Sequence, residues 1–277
     1  MKKRLLTFIA VCIGSLFFFL CASLYYYQKQ DSIIFQTPPP LPKHFTYQCR
    51  YPFTEVFIHI EQKKFLNGLL FSHPSNEGVV MFFHGRGTDL SSCHNRAIDF
   101  LQRGYDVFML DYRGFGKSSP GFKEKWLLED GECAYQFLLQ KYTEDQIIVY
   151  GHSLGTAIAT WTAQKYQPKM LILEAPFYNI LDISSNETPF LPKCLVKCLL
   201  KYHFSIDRWI QNVTSPIYIF HGMQDKVIPY TQSQKLYASI PDHHEIEAIF
   251  IHNAGHNNIR YHNLYKEKLS CLLRHAT

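Results

Sequence analysis

The stretch "IIVYGHSLGTAIATW", Ile147 to Trp161, sets a short apolar, β-prone run directly against a helix-forming one. Gly-His-Ser-Leu-Gly lies at the join, with Ser153 between Gly151 and Gly155. A glycine-x-serine-x-glycine pattern arises by chance in roughly one chain in ten of this length, so its context decides the reading. Here it follows a strand-like Gln146–Tyr150 and precedes a helix-like Leu154–Gln167. A sharp strand-to-helix turn strains the central residue, and small flanking residues let neighbouring backbone approach it. The pattern predicts an exposed Ser153 hydroxyl at a helix N-terminus.

Working outward, apolar runs recur along the chain: "GVVMFFHG", "YDVFMLDY", "QIIVYGH", "KMLILEA", "PIYIFHG" and "EAIFIHNAG". Their near-continuous apolar character suits strands buried on both faces. Helix-like segments fall around them, at about 95–103, 123–141, 154–167, 230–240 and 258–273. This alternation predicts an α/β fold with a mostly parallel sheet and helices on both faces. The earlier "EVFIHIEQKKFLNGLLF" reads as an opening hairpin. Between "LILEAPF" and "SPIYIFHG", about forty residues replace a short crossover, which predicts a helical cap over about 177–212. Within it, "LPKCLVKCLLKYH" puts Leu191, Cys194, Leu195, Cys198, Leu199 and Tyr202 on one helical face, with Lys193, Lys197 and Lys201 on another. That helix is either a surface helix with a solvated lysine stripe or a lid over an apolar cleft that touches lipid headgroups.

A serine hydroxyl needs a base, and the base needs an orienting acid. In sheets of this kind the acid and then the histidine follow on later strand ends. "IFHGMQDKVIP" supplies Asp225 and "IFIHNAGHNNI" supplies His256. Among rivals, His252 is expected to pack at the end of the last strand and His221 to hydrogen-bond at a strand end. His243 and His244 fall in a polar loop; Asp182 and Asp207 belong to the cap, and Asp242 precedes its strand. Acyl transfer also needs donors for an oxyanion. The backbone N–H of Leu154 is one; that of Arg86, in "HGRG" after a buried strand, is the other, with Gly87 as fallback. "LDYRGFGKS" has phosphate-loop glycine spacing but lacks both nucleotide-binding signatures. It reads as a tight loop beside the pocket, with Asp111 and Arg113 structural.

The 277-residue chain is 47% hydrophobic and 18% charged, as folded globular proteins are. Its formal net charge is +5, of which Lys2, Lys3 and Arg4 supply three. The near-neutral body carries no electrostatic footprint for nucleic acid. After those three cations, Leu5 to Tyr27 contains no charged residue and is long enough to cross a bilayer. Residues 1–28 therefore read as a membrane anchor, with the cations cytoplasmic and the body outside the cytoplasm. Cleavage as a signal peptide at Cys21-Ala22-Ser23 is the alternative, against which stands the length of the apolar run. Residues 29–47 read as a linker and 48–277 as the folded domain. Of eight cysteines, six lie in the body without zinc-ribbon spacing and read mostly as small buried side chains.

Together, "FFHGRGTDLS", "DYRGFGKSS", "GHSLGTAIA", "LILEAPFYNI", "IFHGMQDKVIP" and "AGHNN" resemble the α/β-hydrolase fold. More narrowly, the chain resembles the Bem46-like membrane-anchored serine hydrolases, related to the serine aminopeptidase S33 domain. The resemblance implies Ser153 as nucleophile, Asp225 as acid, His256 as base and oxyanion amides at Arg86 and Leu154. Arg86 stands where asparagine is common in that group, which bears on substrate preference rather than on the amide. The expected activity is hydrolysis of acyl esters or thioesters, lipids among them, with no metal or organic cofactor. A peptidase or amidase is the alternative, for which Glu174, Asp182 and Glu187 are candidate amine-binding acids. A catalytically silent, membrane-tethered binding module is the remaining one.

Overall fold

In a computed structural model, residues 2–61, 63–75, 77–241 and 245–274 are described. Asp242, His243 and His244 lie outside the described residues. Eight strands form one sheet: β1 (Phe53–Glu61), β2 (Lys64–Phe71), β3 (Val79–Phe83), β4 (Asp106–Asp111), β5 (Ile147–His152), β6 (Met170–Glu174), β7 (Ile217–Gly222) and β8 (Ile246–Ile251). Their order is β1-β2-β4-β3-β5-β6-β7-β8. The expected hairpin is present: β1 and β2 pair antiparallel, and β2 also runs antiparallel to β4. From β4 to β8 all neighbours are parallel.

Alternate residues of the inner strands feed two cores, as the two-residue period of a strand requires. Val79, Met81, Phe83, Val149, Leu171 and Leu173 join one core. Over it lie α4 (Glu124–Leu138), α5 (Gly155–Ala163) and α9 (Thr231–Ser239). Val80, Phe82, Ile148, Tyr150 and Ile172 join the other, under α2 (Leu90–Cys93), α3 (Ile98–Leu101) and α10 (Asn263–Arg274). The helix expected at 95–103 is broken into pieces that begin earlier. Asp89 caps α2 by accepting from the Ser91 and Ser92 amides, and buried Asp111 accepts from the Leu90 amide (3.0 Å).

The insertion between β6 and β7 carries α6 (Ile180–Glu187), α7 (Lys193–Leu199) and α8 (Ile206–Trp209). Its lysine-rich helix differs from the expected stripe. Leu191, Val196, Leu200 and Tyr202 are buried, Leu195 and Leu199 are half-buried, and Cys194 and Cys198 face outward. The helix ends at Leu199, so the register carried on to Tyr202 is not helical. The cysteine expectation is corrected likewise: of the six in the body, Cys93 is buried, Cys49 and Cys133 are half-buried, and Cys194, Cys198 and Cys271 are exposed.

The N-terminal helix α1 (Lys2–Ile34) is the one helix among the described residues long and apolar enough to cross a membrane. It runs past the expected boundary near residue 28, so residues 29–34 of the expected linker are helical, and irregular chain follows over 36–47. Tyr26, Gln30, Ile34 and Phe35 are buried in the body. Phe35 stacks on Phe122 (5.1 Å) and meets Tyr202 edge-on (4.8 Å). Burial of one such ring contributes about 1.5–3 kcal/mol, enough to dock the helix end.

Candidate active site

The C-terminal ends of β3, β5, β7 and β8 place their following loops along one edge of the sheet, where ligands of open α/β sheets bind. Ser153 follows β5 with φ of +53°, a left-handed conformation costly for a residue with a Cβ. Its amide donates to the Glu174 carbonyl (2.9 Å), and Thr156 Oγ1 donates to its carbonyl (2.5 Å). Neither flanking glycine could be larger. A Cβ on Gly151 would come within 2.6 Å of the Gly155 carbonyl, and one on Gly155 within 2.2 Å of the Phe83 carbonyl. The expected turn is therefore present, but Ser153 is only 2% exposed because other elements close over it.

Three sequence-distant residues meet there. Ser153 Oγ donates to His256 Nε2 (2.9 Å), and His256 Nδ1 donates to Asp225 Oδ2 (2.7 Å). Asp225 Oδ1 accepts from the Val227 and Ile228 amides, both at 2.8 Å. Burial alone would raise the Asp225 pKa. Hydrogen bonds from His221 and His256 and the Ile228 amide outweigh it and hold the carboxyl well below its ordinary range. The geometry permits a proton relay from hydroxyl to imidazole, with the carboxylate fixing the tautomer.

His221 is a strand-end hydrogen-bonding residue, as expected, and it braces the acid. Its Nε2–H reaches Asp225 Oδ2 (3.2 Å) and the Ile228 carbonyl (2.9 Å), while Ser233 Oγ donates to its Nδ1 (2.5 Å). His252 does not pack as expected; it is exposed, with Nδ1 3.0 Å from Oδ1 of its neighbour Asn253. Asp182, in the cap, pairs with Lys193 and with Lys235 of α9, and Asp207 sits on α8. The "LDYRGFGKS" loop does not line the Ser153 cavity. It borders a separate groove beside Pro38 and Pro40, although Arg113 is structural as expected, donating to Asp130 Oδ1 (2.6 Å).

Beneath the serine lies a polar cluster that the sequence reading missed. Glu174 is fully buried; Arg96 Nη1 (2.7 Å) and Tyr150 Oη (2.5 Å) donate to it, and Tyr265 Oη lies 3.0 Å from Tyr150 Oη. Burial pushes the Glu174 pKa up, but Arg96 and its other partners bring it down to about 2. His152, beside the nucleophile, is pushed down to about 3, first by burial and then by the Arg96 charge. It is therefore neutral, with its ring 5.3 Å from that of His256. The only sequence signals for this cluster are the histidine before Ser153 and the glutamate ending "LILE".

In front of Ser153 is a mainly apolar cavity. Phe177, Ile180, Ile183, Val227 and Ile228 line it with Leu154, and Ile34 of α1 closes one side. Arg86, Ser184 and Glu187 form its polar corner, with Arg86 Nη1 3.7 Å from Glu187 Oε1. Arg86 and Leu154 thus both border the cavity that holds the serine. Among the described residues, no group of three or more His, Cys, Asp and Glu side chains could hold a metal ion.

Residues 74–207 match the family described as serine aminopeptidase, S33. The chain is 31% identical over 226 residues to the α/β-hydrolase domain-containing protein 17C of Xenopus laevis, covering 80% of this chain and 70% of that one. The chain belongs to the α/β-hydrolase superfamily. It is also 32% identical over 205 residues to the 17C protein of Xenopus tropicalis, spanning 73% of this chain and 63%, less than two thirds, of that relative. An esterase of Pyrococcus furiosus has the same fold, with a TM-score of 0.67 at 19% identity over 86% of this chain and 96% of its own. The parallel sheet, surrounding helices and nucleophile-type turn are those of an α/β-hydrolase.

Proposed function

We propose that this hydrolase is a serine esterase or thioesterase held at a membrane by its N-terminal helix. One observation carries the reading: Ser153, His256 and Asp225 lie in hydrogen-bonded sequence at an apolar cavity. Ser153 Oγ attacks the acyl carbonyl as His256 Nε2 takes its proton. Asp225 stabilises the imidazolium, and the Arg86 and Leu154 amides donate to the oxyanion. His256 then protonates the departing alcohol or thiol. Water, deprotonated by His256, attacks the acyl-enzyme and releases the acid and Ser153. No cofactor enters this sequence.

The walls of the cavity favour an acyl chain over an amino group. Of the three acids considered for amine recognition, Glu174 is buried beneath the serine and Asp182 is held by two lysines. Glu187 borders the cavity but faces Arg86. Lys2, Lys3 and Arg4 support an orientation with the N-terminus cytoplasmic and the body opposite. Ile34 lies seven residues beyond Tyr27, about 10 Å along a helix. The cavity is thus close to the end of the apolar span and suited to an acyl chain from a lipid surface.

The test compares p-nitrophenyl acyl esters with amino-acid anilides, in wild type and Ser153→Ala. Ester turnover that disappears in the variant is expected. Anilide turnover exceeding ester turnover would replace the reading with a peptidase, and equal rates in the variant would remove Ser153 from the chemistry.

A further inference from the structure

The end of α1 is tied to the loop that carries the Arg86 amide. Arg86 Nη1 donates to the Ile33 carbonyl (3.2 Å), and the Gly87 amide donates to the Phe35 carbonyl (2.9 Å). The last turn of α1 has no basic residue of its own. The Arg86 guanidinium supplies the positive charge that the carbonyl end of a helix favours. Gly87 has φ of +70°, and the turn it makes brings its amide to the helix end.

A second seat holds the same helix from the cap. Gln30, fully buried, donates to the Leu199 carbonyl (2.7 Å) and accepts from the Lys201 amide (2.9 Å). Tyr202 Oη donates to Asp31 (2.8 Å). One continuous helix therefore reaches from the apolar span to the edge of the Ser153 cavity, where Ile34 forms part of the wall.

We propose that the last turns of α1 are a positioning element of the active site, acting through the Arg86 side chain. With that side chain and the following peptide both fixed to α1, the Arg86 amide has little freedom to turn away from an oxyanion. This rests on the reading of Ser153 as nucleophile and Arg86 N–H as oxyanion donor. Arg86 then has two separable parts: a backbone amide that touches the reacting oxygen and a side chain that aims it. The membrane helix, ordinarily a tether, sets the rate of the chemical step.

Full-length protein in detergent, assayed on a short soluble ester, tests this. Arg86→Ala keeps the amide and removes the tie; Arg86→Lys retains a donor; Gln30→Ala loosens the second seat outside the cavity. The expected result for Arg86→Ala is a kcat lower by roughly tenfold to a hundredfold, with KM changed by less than about twofold. Arg86→Lys recovers most of that loss, and Gln30→Ala lowers kcat in the same sense. Should Arg86→Ala fail to fold by thermal melt, Gln30→Ala carries the test. Unchanged kcat in folded Arg86→Ala or Gln30→Ala, or a loss borne wholly by KM, overturns the proposal. Ser153→Ala run alongside separates the two levels: if it retains full activity, the hydrolase reading itself fails. If it is inactive while Arg86→Ala and Gln30→Ala match wild type, only the positioning role falls.

Discussion

On the strand side of Ser153 the supporting groups are polar, buried and mutually hydrogen-bonded: Glu174 with Arg96 and Tyr150, and Asp225 with His221 and His256. On the α1 side the same serine faces Ile34, Phe177, Ile180 and Ile183, with a loose ion pair at the corner. The first side resists displacement because each buried charge has a fixed partner, and losing one leaves the other unpaired. The second is held by packing and a few hydrogen bonds from sequence-distant elements, so its apolar lining can vary in shape while the ties from α1 to the Arg86–Gly87 loop stay in place. A hydrogen-bonded polar network and an apolar cavity thus meet on opposite sides of one residue.

The contrast makes graded predictions. Asp225→Asn, which keeps the shape but removes the charge, should lower kcat by roughly 10³–10⁴ while leaving the fold intact. Circular dichroism and steady-state kinetics on the same sample check this, and an effect confined to folding would contradict it. Glu174→Gln leaves the Arg96 guanidinium without its buried counter-charge and should cost about 3–5 kcal/mol in urea unfolding. A loss below about 1 kcal/mol, as for surface pairs, would show that the polar side is not the rigid one.

On the apolar side, Ile183→Trp should fill the cavity with little effect on stability. It should depress octanoyl relative to acetyl ester turnover by roughly tenfold. An unchanged chain-length profile would place the acyl chain elsewhere.

The smallest effect is a pH slope. His152 has its folded pKa pushed down to about 3 from an ordinary 6.5. The unfolded chain therefore binds a proton that the folded one refuses. The associated stability is complete above about pH 6.5 and is lost progressively on acidification towards the folded value, by at most about 1.4 kcal/mol per pH unit. Between pH 6.5 and 5, above the ordinary range of the carboxylates, His152→Gln should flatten the slope of unfolding free energy. An identical slope in both proteins would contradict it.

How far the sequence could be read follows the same division. The inner strands were legible because burial on both faces demands unbroken apolar runs, as in Val79–Phe83. The meeting of Ser153, Asp225 and His256 was legible because each sits in a short pattern after a strand, on the edge where the loops of a parallel sheet gather. The Arg96–Glu174 pair was not, because 78 residues separate its members and neither lies in a periodic pattern. The docking of α1 was hidden for another reason. Polar Gln30 and Asp31 read as solvated linker, whereas their partners, the Leu199 carbonyl and Tyr202, lie about 170 residues away. The cap helix misled through its own regularity, since its apolar spacing continues after the helix has stopped at Leu199.

The central claim is that Ser153 is the activated hydroxyl. It is tested most directly by treating the full-length protein with a fluorophosphonate and mapping the adduct by peptide mass spectrometry. A single phosphonylated site at Ser153, absent when His256 is replaced by alanine, is the result predicted. An adduct on another serine, or undiminished labelling of Ser153→Ala, would contradict it.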